Sequence, residues 1–241
     1  MKHDRSRWSA PRRGRLVAIA SVAAITLAAC GGSSDSTASD DDAGAGSPDA
    51  TPDDAAPSDS DGSGLSGIVR SPAPAVGGTA LPSLTEPGTE VEFRAEPGGI
   101  EVVYFGFTNC PDVCPTTLSD LGAALNRLER DEPGITDLIE TTMVTVDPGR
   151  DLDVLAPYVT SFVSDAVALG TSDEALLMEA AEPFGVSYDV RTLDDGTIEV
   201  DHSPFLYAVD DQGELVLTWQ FGAAPSDIAN DLDILLERES A

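Results

Sequence analysis

The sequence predicts an α/β sandwich in which helices flank a central mixed sheet. Three observations lead to this fold class. Runs of β-branched and aromatic residues alternate along the chain with segments whose apolar residues recur at helical spacing. The richest run, residues 102–107, has the composition of a buried central strand. Late in the chain, turn sequences at 194–196 and 210–213 predict two hairpins, which add antiparallel pairs to the sheet.

The first 69 residues carry export and tether signals. A basic start followed by the apolar stretch Leu16–Ala29 predicts a signal peptide over residues 1–29. Small residues precede Cys30, as at the lipidation site of bacterial lipoproteins, whereas a plain signal peptide would leave Cys30 as a spare thiol. Residues 30–69 have the composition of a disordered acidic linker. We therefore expect a lipid anchor in the cell membrane, with the domain on the extracytoplasmic side.

Residues 70–241 are enough for one folded domain. The whole chain has 13 basic and 43 acidic residues, a net charge of −30. Such a surface argues against binding nucleic acid or anionic lipid head groups through the domain.

The elements of this domain follow in a definite order. A loop-rich segment over 72–89 comes first, Pro115 suits the first turn of a helix, and Asp173 suits a helix cap. The order is typical of a sandwich of thioredoxin type. The strand patterns lie at 90–94, 102–107, 138–146, 167–169, 186–190, 205–209 and 214–220, and the helix patterns at 114–130, 152–162, 172–184 and 228–236.

Two cysteines stand where the helix after the central strand begins. The start of a helix presents unpaired N–H groups and the positive end of its dipole, so we expect a thiolate to be favoured there. Three residues separate Cys110 from Cys114, one more than in the thioredoxin redox motif. The spacing leaves open a disulfide between the sulfurs or a soft metal ion held by both.

His202 is the histidine of the predicted domain, and it directly precedes a core strand. In a thioredoxin-type fold, the loop at that position faces the helix start that bears the cysteines. Two thiolates and one imidazole suit copper, although zinc would accept the same ligands and disulfide chemistry would need only the cysteines. Met143 and Met178 are predicted to be core residues instead.

Three acidic residues lie near the predicted site. Asp112, between the cysteines, is a candidate to support the site by favouring the approach of a cation, or else is a solvated residue at the helix start. Asp147 and Asp151 are candidates to support the ligands through hydrogen bonds or to contact a partner, or else to stabilise a turn. Pro204 raises the hypothesis of a cis bond after Ser203.

Three motifs together resemble the SCO/SenC family of copper-binding, thioredoxin-like proteins. They are the run FGFTNCPDVCPTTL, the segment VDPGRD at 146–151, and Asp201-His202-Ser203 with the strand that follows. The resemblance covers roughly residues 90–238. It implies that Cys110, Cys114 and His202 bind copper, and that the protein assists assembly of the binuclear copper site in subunit II of cytochrome c oxidase, or serves another copper enzyme.

A second function stays open beside this one. A thiol–disulfide oxidoreductase could use Cys110 and Cys114 to reduce the cysteines of the oxidase copper site, with His202 tuning their thiolate character. A peroxidase is disfavoured, because no Thr-x-x-Cys with a supporting Arg lies near the helix start.

Overall fold

A computed structural model describes residues 64–240 of the chain. The predicted signal peptide, Cys30 and most of the predicted linker therefore lie outside the described residues. The described part contains a six-stranded sheet in the order β1-β10-β9-β4-β5-β6 and two separate strand pairs, β2-β3 and β7-β8. The strands are β1 Ile68–Val69, β2 Ala80–Pro82, β3 Glu90–Glu92, β4 Ile100–Gly106, β5 Ile139–Thr145, β6 Val167–Leu169, β7 Tyr188–Thr192, β8 Ile198–His202, β9 Leu206–Val209 and β10 Leu215–Trp219.

Strand β4 is the centre of the sheet, as its composition predicts. All seven of its residues are buried, because strands pair with both of its edges and helices cover both of its faces. It pairs in parallel with β5 and antiparallel with β9. The mixed sheet of the predicted fold class is therefore confirmed.

Residues 64–240 form five α-helices: α1 Val113–Asp131, α2 Pro148–Asp151, α3 Leu155–Thr160, α4 Glu174–Ala181 and α5 Pro225–Glu239. Helix α1 packs against α5. Tyr104 lies on the face of β4 that meets α1, while the next residue, Phe105, points to the opposite face and packs edge-on against Phe184, just after α4. Helical segments thus lie on both sides of the sheet. Within residues 64–240, none of the helices has the length and apolar character needed to cross a bilayer.

Several local predictions need correction. The helix predicted over 152–162 is shorter in the structure: residues 152–154 form a turn after α2, and the helix is α3, Leu155–Thr160. Met178 is 55% exposed and not a core residue, because α4 turns Leu177 inward instead; Met143 is fully buried as predicted. The hypothesis of a cis bond before Pro204 is wrong, since the one cis peptide among the described residues precedes Pro72.

Residues assigned to the end of the linker contact the folded domain. Leu65 is 2% exposed, and the backbone N–H groups of Ser66 and Gly67 donate to the carboxylate of Asp231 at 2.8 and 2.9 Å. The fold therefore begins before residue 70. A single leucine among Ser, Gly and Asp has no periodicity that would predict this.

Asp231 on α5 is fully buried, and its third hydrogen-bond donor is the indole Nε1 of Trp219 at 2.8 Å. We expect Asp231→Ala to lower the free energy of unfolding by roughly 2–4 kcal/mol, because the buried indole N–H loses its partner and the segment before β1 is released. Urea unfolding followed by Trp fluorescence measures the change. Exposed Glu237 on the same helix is the control, and its Ala variant should differ from wild type by less than about 0.5 kcal/mol. Equal stability of the two variants would contradict this role of Asp231.

Candidate metal centre

The cysteines lie where β4 gives way to α1. Strand β4 ends at Gly106, a short turn follows, and α1 begins at Val113 with Pro115 in its first turn. Cys110 lies in the turn and is half-buried, while Cys114 lies in the first turn of α1 and is fully buried. One sulfur is therefore accessible from solvent and the other is enclosed by the core.

The sulfur of Cys110 closes the open end of α1. The backbone N–H of Cys114 has no partner within the helix, and it donates to the Cys110 sulfur at 3.3 Å. Asp112, at the N-cap position, makes no side-chain cap bond and is exposed, as predicted for a solvated residue. The Cys110 sulfur, and not the Asp112 carboxylate, therefore accepts a hydrogen bond from the first turn of α1.

His202 reaches the same place from 88 residues further along the chain. It is the last residue of β8. Directly after it, the Ser203 N–H donates to Ser187 O at 3.0 Å, and this hydrogen bond stabilises the open end of the β7-β8 hairpin. Its Nε2 lies 3.5 Å from the Cys114 sulfur. The predicted approach of this imidazole to the cysteines is therefore present in the structure.

The protonation of His202 follows from its neighbours. Its Nδ1 lies 3.1 Å from the carbonyl oxygen of Ser203, which can only accept, so Nδ1 carries the proton and Nε2 keeps a lone pair directed at the sulfur. Burial lowers the pKa of the imidazole, which the Ser203 carbonyl partly offsets. Tyr104 and Phe107 pack edge-on against the ring, with centroids 6.0 and 5.6 Å away. A neutral imidazole is thus held ready to accept a proton or a metal ion.

Among the described residues, Cys110, Cys114 and His202 form the group of three His, Cys, Asp or Glu donors that could share a metal ion, with all donor atoms within 4.8 Å of one another. Two sulfurs bound to one ion at about 2.3 Å in a planar trigonal site would lie about 4.0 Å apart, and a sulfur and a nitrogen about 3.7 Å apart. The observed 3.5 Å from the Cys114 sulfur to Nε2 is already close to the second value. Since all donor atoms lie within 4.8 Å of one another, they would have to move closer by less than about 1 Å to bind one ion. The donor set suits a soft metal ion.

The expectation of a favoured thiolate fails for Cys114. Burial raises the pKa of this thiol to about 12, and this outweighs the Phe107 backbone N–H and the Tyr104 hydroxyl, which act in the opposite direction. The protein interior solvates a thiolate poorly, so removing the sulfur from water costs more than the helix end supplies. Without a metal ion, Cys114 is a thiol that can donate to His202 Nε2.

Asp151 holds the turn that carries the cysteines. Its carboxylate is fully buried and accepts from the Thr108 backbone N–H at 3.0 Å, the Thr108 hydroxyl at 2.6 Å and the Thr145 hydroxyl at 2.7 Å. Thr108 is two residues before Cys110. The carboxylate therefore links the turn after β4 to the end of β5 and the end of α2.

Asp147 has a different task from Asp151. It is also buried, but its carboxylate pairs with the Arg150 side chain, and its backbone oxygen accepts from the N–H groups of Arg150 and Asp151. Asp147 thus stabilises the turn into α2, which is the turn-supporting role considered in the sequence analysis. Asp112 lies within the turn that carries the cysteines, and of the other two acids it is Asp151 whose carboxylate bonds to that turn.

Sequence reasoning missed two residues of the site. The sequence pattern places Tyr104 and Gly106 only in the central strand. A Cβ added to Gly106 would lie 2.7 Å from Tyr104 Cε1 and 3.2 Å from the Cys114 sulfur, so no side chain fits there. A glycine at the end of an otherwise β-branched and aromatic strand signals such a close approach.

The fold and the site define a thioredoxin-like protein with a Cys-Cys-His candidate metal centre. The family model for SCO1/SenC matches residues 83–237, more than half of the chain. The chain belongs to the SCO1/SenC family.

Its relatives include Protein SCO1, mitochondrial, of Saccharomyces cerevisiae, which is 36% identical over 152 residues, 58% of this chain and 49% of the yeast protein. The chain spans about half of the length of the curated relatives it matches. Among solved structures, apo Sco1 of Thermus thermophilus is 31% identical with a TM-score of 0.58, covering 70% of this chain and 95% of that one. Yeast Sco1 with copper bound is 30% identical with a TM-score of 0.56, covering 66% and 87%.

We expect Asp151→Ala to release the cysteine turn, because three hydrogen-bond donors lose their acceptor, and to lower the free energy of unfolding by roughly 2–4 kcal/mol. Cys110 should then react several-fold faster with iodoacetamide under native conditions, as measured by mass spectrometry. Asp231→Ala is the matched control: it removes an equally buried carboxylate with three donors, yet Cys110 should react at the wild-type rate. The role of Asp151 is refuted if the two variants alkylate at the same rate.

Proposed function

We propose that this protein is a membrane-tethered copper chaperone. In this proposal Cys110, Cys114 and His202 bind copper as a cargo, and the protein assists assembly of the binuclear copper site in subunit II of cytochrome c oxidase. The observation that carries the proposal is the convergence of two sulfurs and one imidazole nitrogen within 4.8 Å. Membership of the SCO1/SenC family and the likeness to yeast Sco1 with copper bound support copper as the ion.

The burial of the three donors suits a cargo that must be passed on. Cys114 is enclosed, whereas Cys110 and His202 are half-buried and can be approached from outside. Acceptor ligands could displace these two donors one at a time, while Cys114 keeps hold of the ion until last. Transfer by ligand exchange would then never require a free copper ion.

Tethering is the second part of the proposal. We propose that Cys30 is lipidated and that the linker after it holds the domain outside the cell membrane. The sequence of residues 16–30 supports this, since an apolar stretch and small residues precede the cysteine. A tether of this kind would keep the domain close to a membrane-bound acceptor.

A thiol–disulfide oxidoreductase is the second candidate, and the unequal burial of the sulfurs favours it too. The accessible Cys110 thiolate would attack a partner disulfide, and Cys114 would then displace the partner. Two electrons would pass to the partner, and the two cysteines of this chain would become a disulfide. This chemistry has no need of an imidazole at 3.5 Å from the Cys114 sulfur, which is why copper is the first proposal.

His202→Ala separates the two functions. Removing a residue that only hydrogen-bonds to a metal ligand typically weakens metal binding roughly 10–100-fold, so the loss of the ligand itself should weaken copper binding by more than that. Disulfide exchange should stay near the wild-type rate. A competition titration with a Cu(I) chelator and a disulfide-reduction assay measure the two properties. Cys110→Ser is the control and should lose both. If His202→Ala bound copper as tightly as wild type, the copper proposal would be wrong and the oxidoreductase would be favoured.

Copper binding should strengthen as pH rises. Burial raises the pKa of Cys114 to about 12, so at neutral pH the ion must displace a proton to bind the sulfur. The Kd for Cu(I) should therefore fall at least about tenfold per unit of pH between about pH 6 and 8. Chelator competition at several pH values measures the slope, and Cys114→Ser should flatten it. A Kd that does not change with pH would contradict this protonation state.

A further inference from the structure

The hydroxyl of Tyr104 is buried beside the metal centre. Tyr104 is 0% exposed, and no group meets hydrogen-bond geometry with its phenol oxygen, although Cys114 and Thr117 are near enough to interact with it. Leaving a buried polar group unsatisfied costs about 1–3 kcal/mol, and such groups in folded proteins call for an explanation. Phenylalanine would fill the same space without that cost. The oxygen therefore has a use that the metal-free state does not show.

The geometry directs this hydroxyl to Cys114. Tyr104 Cε1, the ring atom next to the carbon that bears the hydroxyl, and the Cys114 sulfur both lie against the bare backbone of Gly106. The same ring packs edge-on against His202. The Tyr104 ring thus lies beside both Cys114 and His202, on the buried side of the site.

A metal-bound sulfur and a free thiol differ in how well they accept a hydrogen bond. As a thiol, Cys114 has one proton, which can point to the Nε2 lone pair of His202 at 3.5 Å. A neutral thiol is a weak acceptor. When an ion takes the place of that proton, the sulfur becomes a thiolate, which accepts hydrogen bonds much more strongly.

We propose that Tyr104 is a positioning residue of the metal centre, whose hydroxyl donates a hydrogen bond to the Cys114 thiolate in the copper-bound state. This inference rests on the proposed function. The hydrogen bond withdraws electron density from the sulfur, and hydrogen bonds around a cysteine sulfur tune the redox potential of a copper–thiolate site. Tyr104 would therefore stabilise the loaded state and set how strongly Cys114 donates to copper.

Thr117 offers the alternative destination for this hydroxyl. Thr117 lies one turn after Cys114 on α1, and its own hydroxyl donates to Val113 O at 2.9 Å, which leaves its lone pairs free. Thr117 also acts on Tyr104, since it lowers the pKa of the phenol, while burial and Cys114 raise it. A bond to Thr117 would be the same with and without copper, so the two destinations predict different measurements.

Tyr104→Phe tests the proposal, and Tyr207→Phe is its matched control. Tyr207 is 1% exposed and also has an unpartnered hydroxyl, but it packs against Phe105 and Phe184 on the face away from α1. In the full chain loaded with Cu(II), Tyr104→Phe should move the thiolate-to-copper charge-transfer band to lower energy. It should also weaken Cu(I) binding several-fold. Tyr207→Phe should leave both unchanged.

Thermal unfolding supplies an independent readout. Without copper, Tyr104→Phe should melt at or above the wild-type temperature, because an unpaired hydroxyl has been removed. With copper, the rise in Tm on loading should be smaller than in wild type. A variant that is destabilised before loading would show that the hydroxyl is bonded to Thr117 or another fixed partner, and the inference would be wrong.

The outcomes distinguish this inference from the function on which it rests. A wild-type chain that shows no charge-transfer band overturns the copper proposal together with the role of Tyr104. A wild-type band that is unchanged in Tyr104→Phe overturns the role of Tyr104 alone. A shift of equal size in Tyr207→Phe would also overturn it, since the effect would then be general to buried phenols.

Discussion

The antiparallel pairing of β4 with β9 is the constraint on which the candidate metal centre depends. It aligns Tyr104, near the end of β4, with Leu206 at the start of β9. The chain that enters β9 therefore passes the point where β4 turns into α1. His202 lies on that entering chain and Cys114 on that helix, so this strand register helps to bring an imidazole and a thiol from distant parts of the sequence to 3.5 Å.

Burial and the helix end compete at Cys114, and burial dominates. The start of α1 favours a negative sulfur, but the dipole effect is small and acts over about one turn. Desolvation in a closed core acts on the whole charge of the thiolate and raises the pKa of Cys114 to about 12. This centre therefore holds a thiol and a neutral imidazole until an ion displaces the proton, which links metal binding to proton release.

Two buried carboxylates fix the ends of this arrangement. Asp151 joins the turn before the cysteines to β5 and α2, and Asp231 joins the segment before β1 to α5 and β10. Each accepts three hydrogen bonds from backbone, hydroxyl or indole groups, which is how a buried anion can be stabilised without an adjacent cation. Asp151 holds the turn of the metal centre, and Asp231 holds the segment where the folded domain begins. The same kind of hydrogen-bonded carboxylate therefore stabilises two separate parts of the fold.

The amino-acid sequence by itself determined the order of the main strands and helices from β4 onward, the central strand and the two cysteines at a helix start, because these depend on local periodicity and turn chemistry. The motifs also singled out His202 and Asp151. Only the tertiary structure decided that Cys114 is a thiol, that Met178 is exposed, that Leu65 belongs to the fold and that Tyr104 lies beside the sulfur. Each of these depends on which side chains from distant segments exclude water from a given atom, and desolvation is a property of the packed core that no local pattern records.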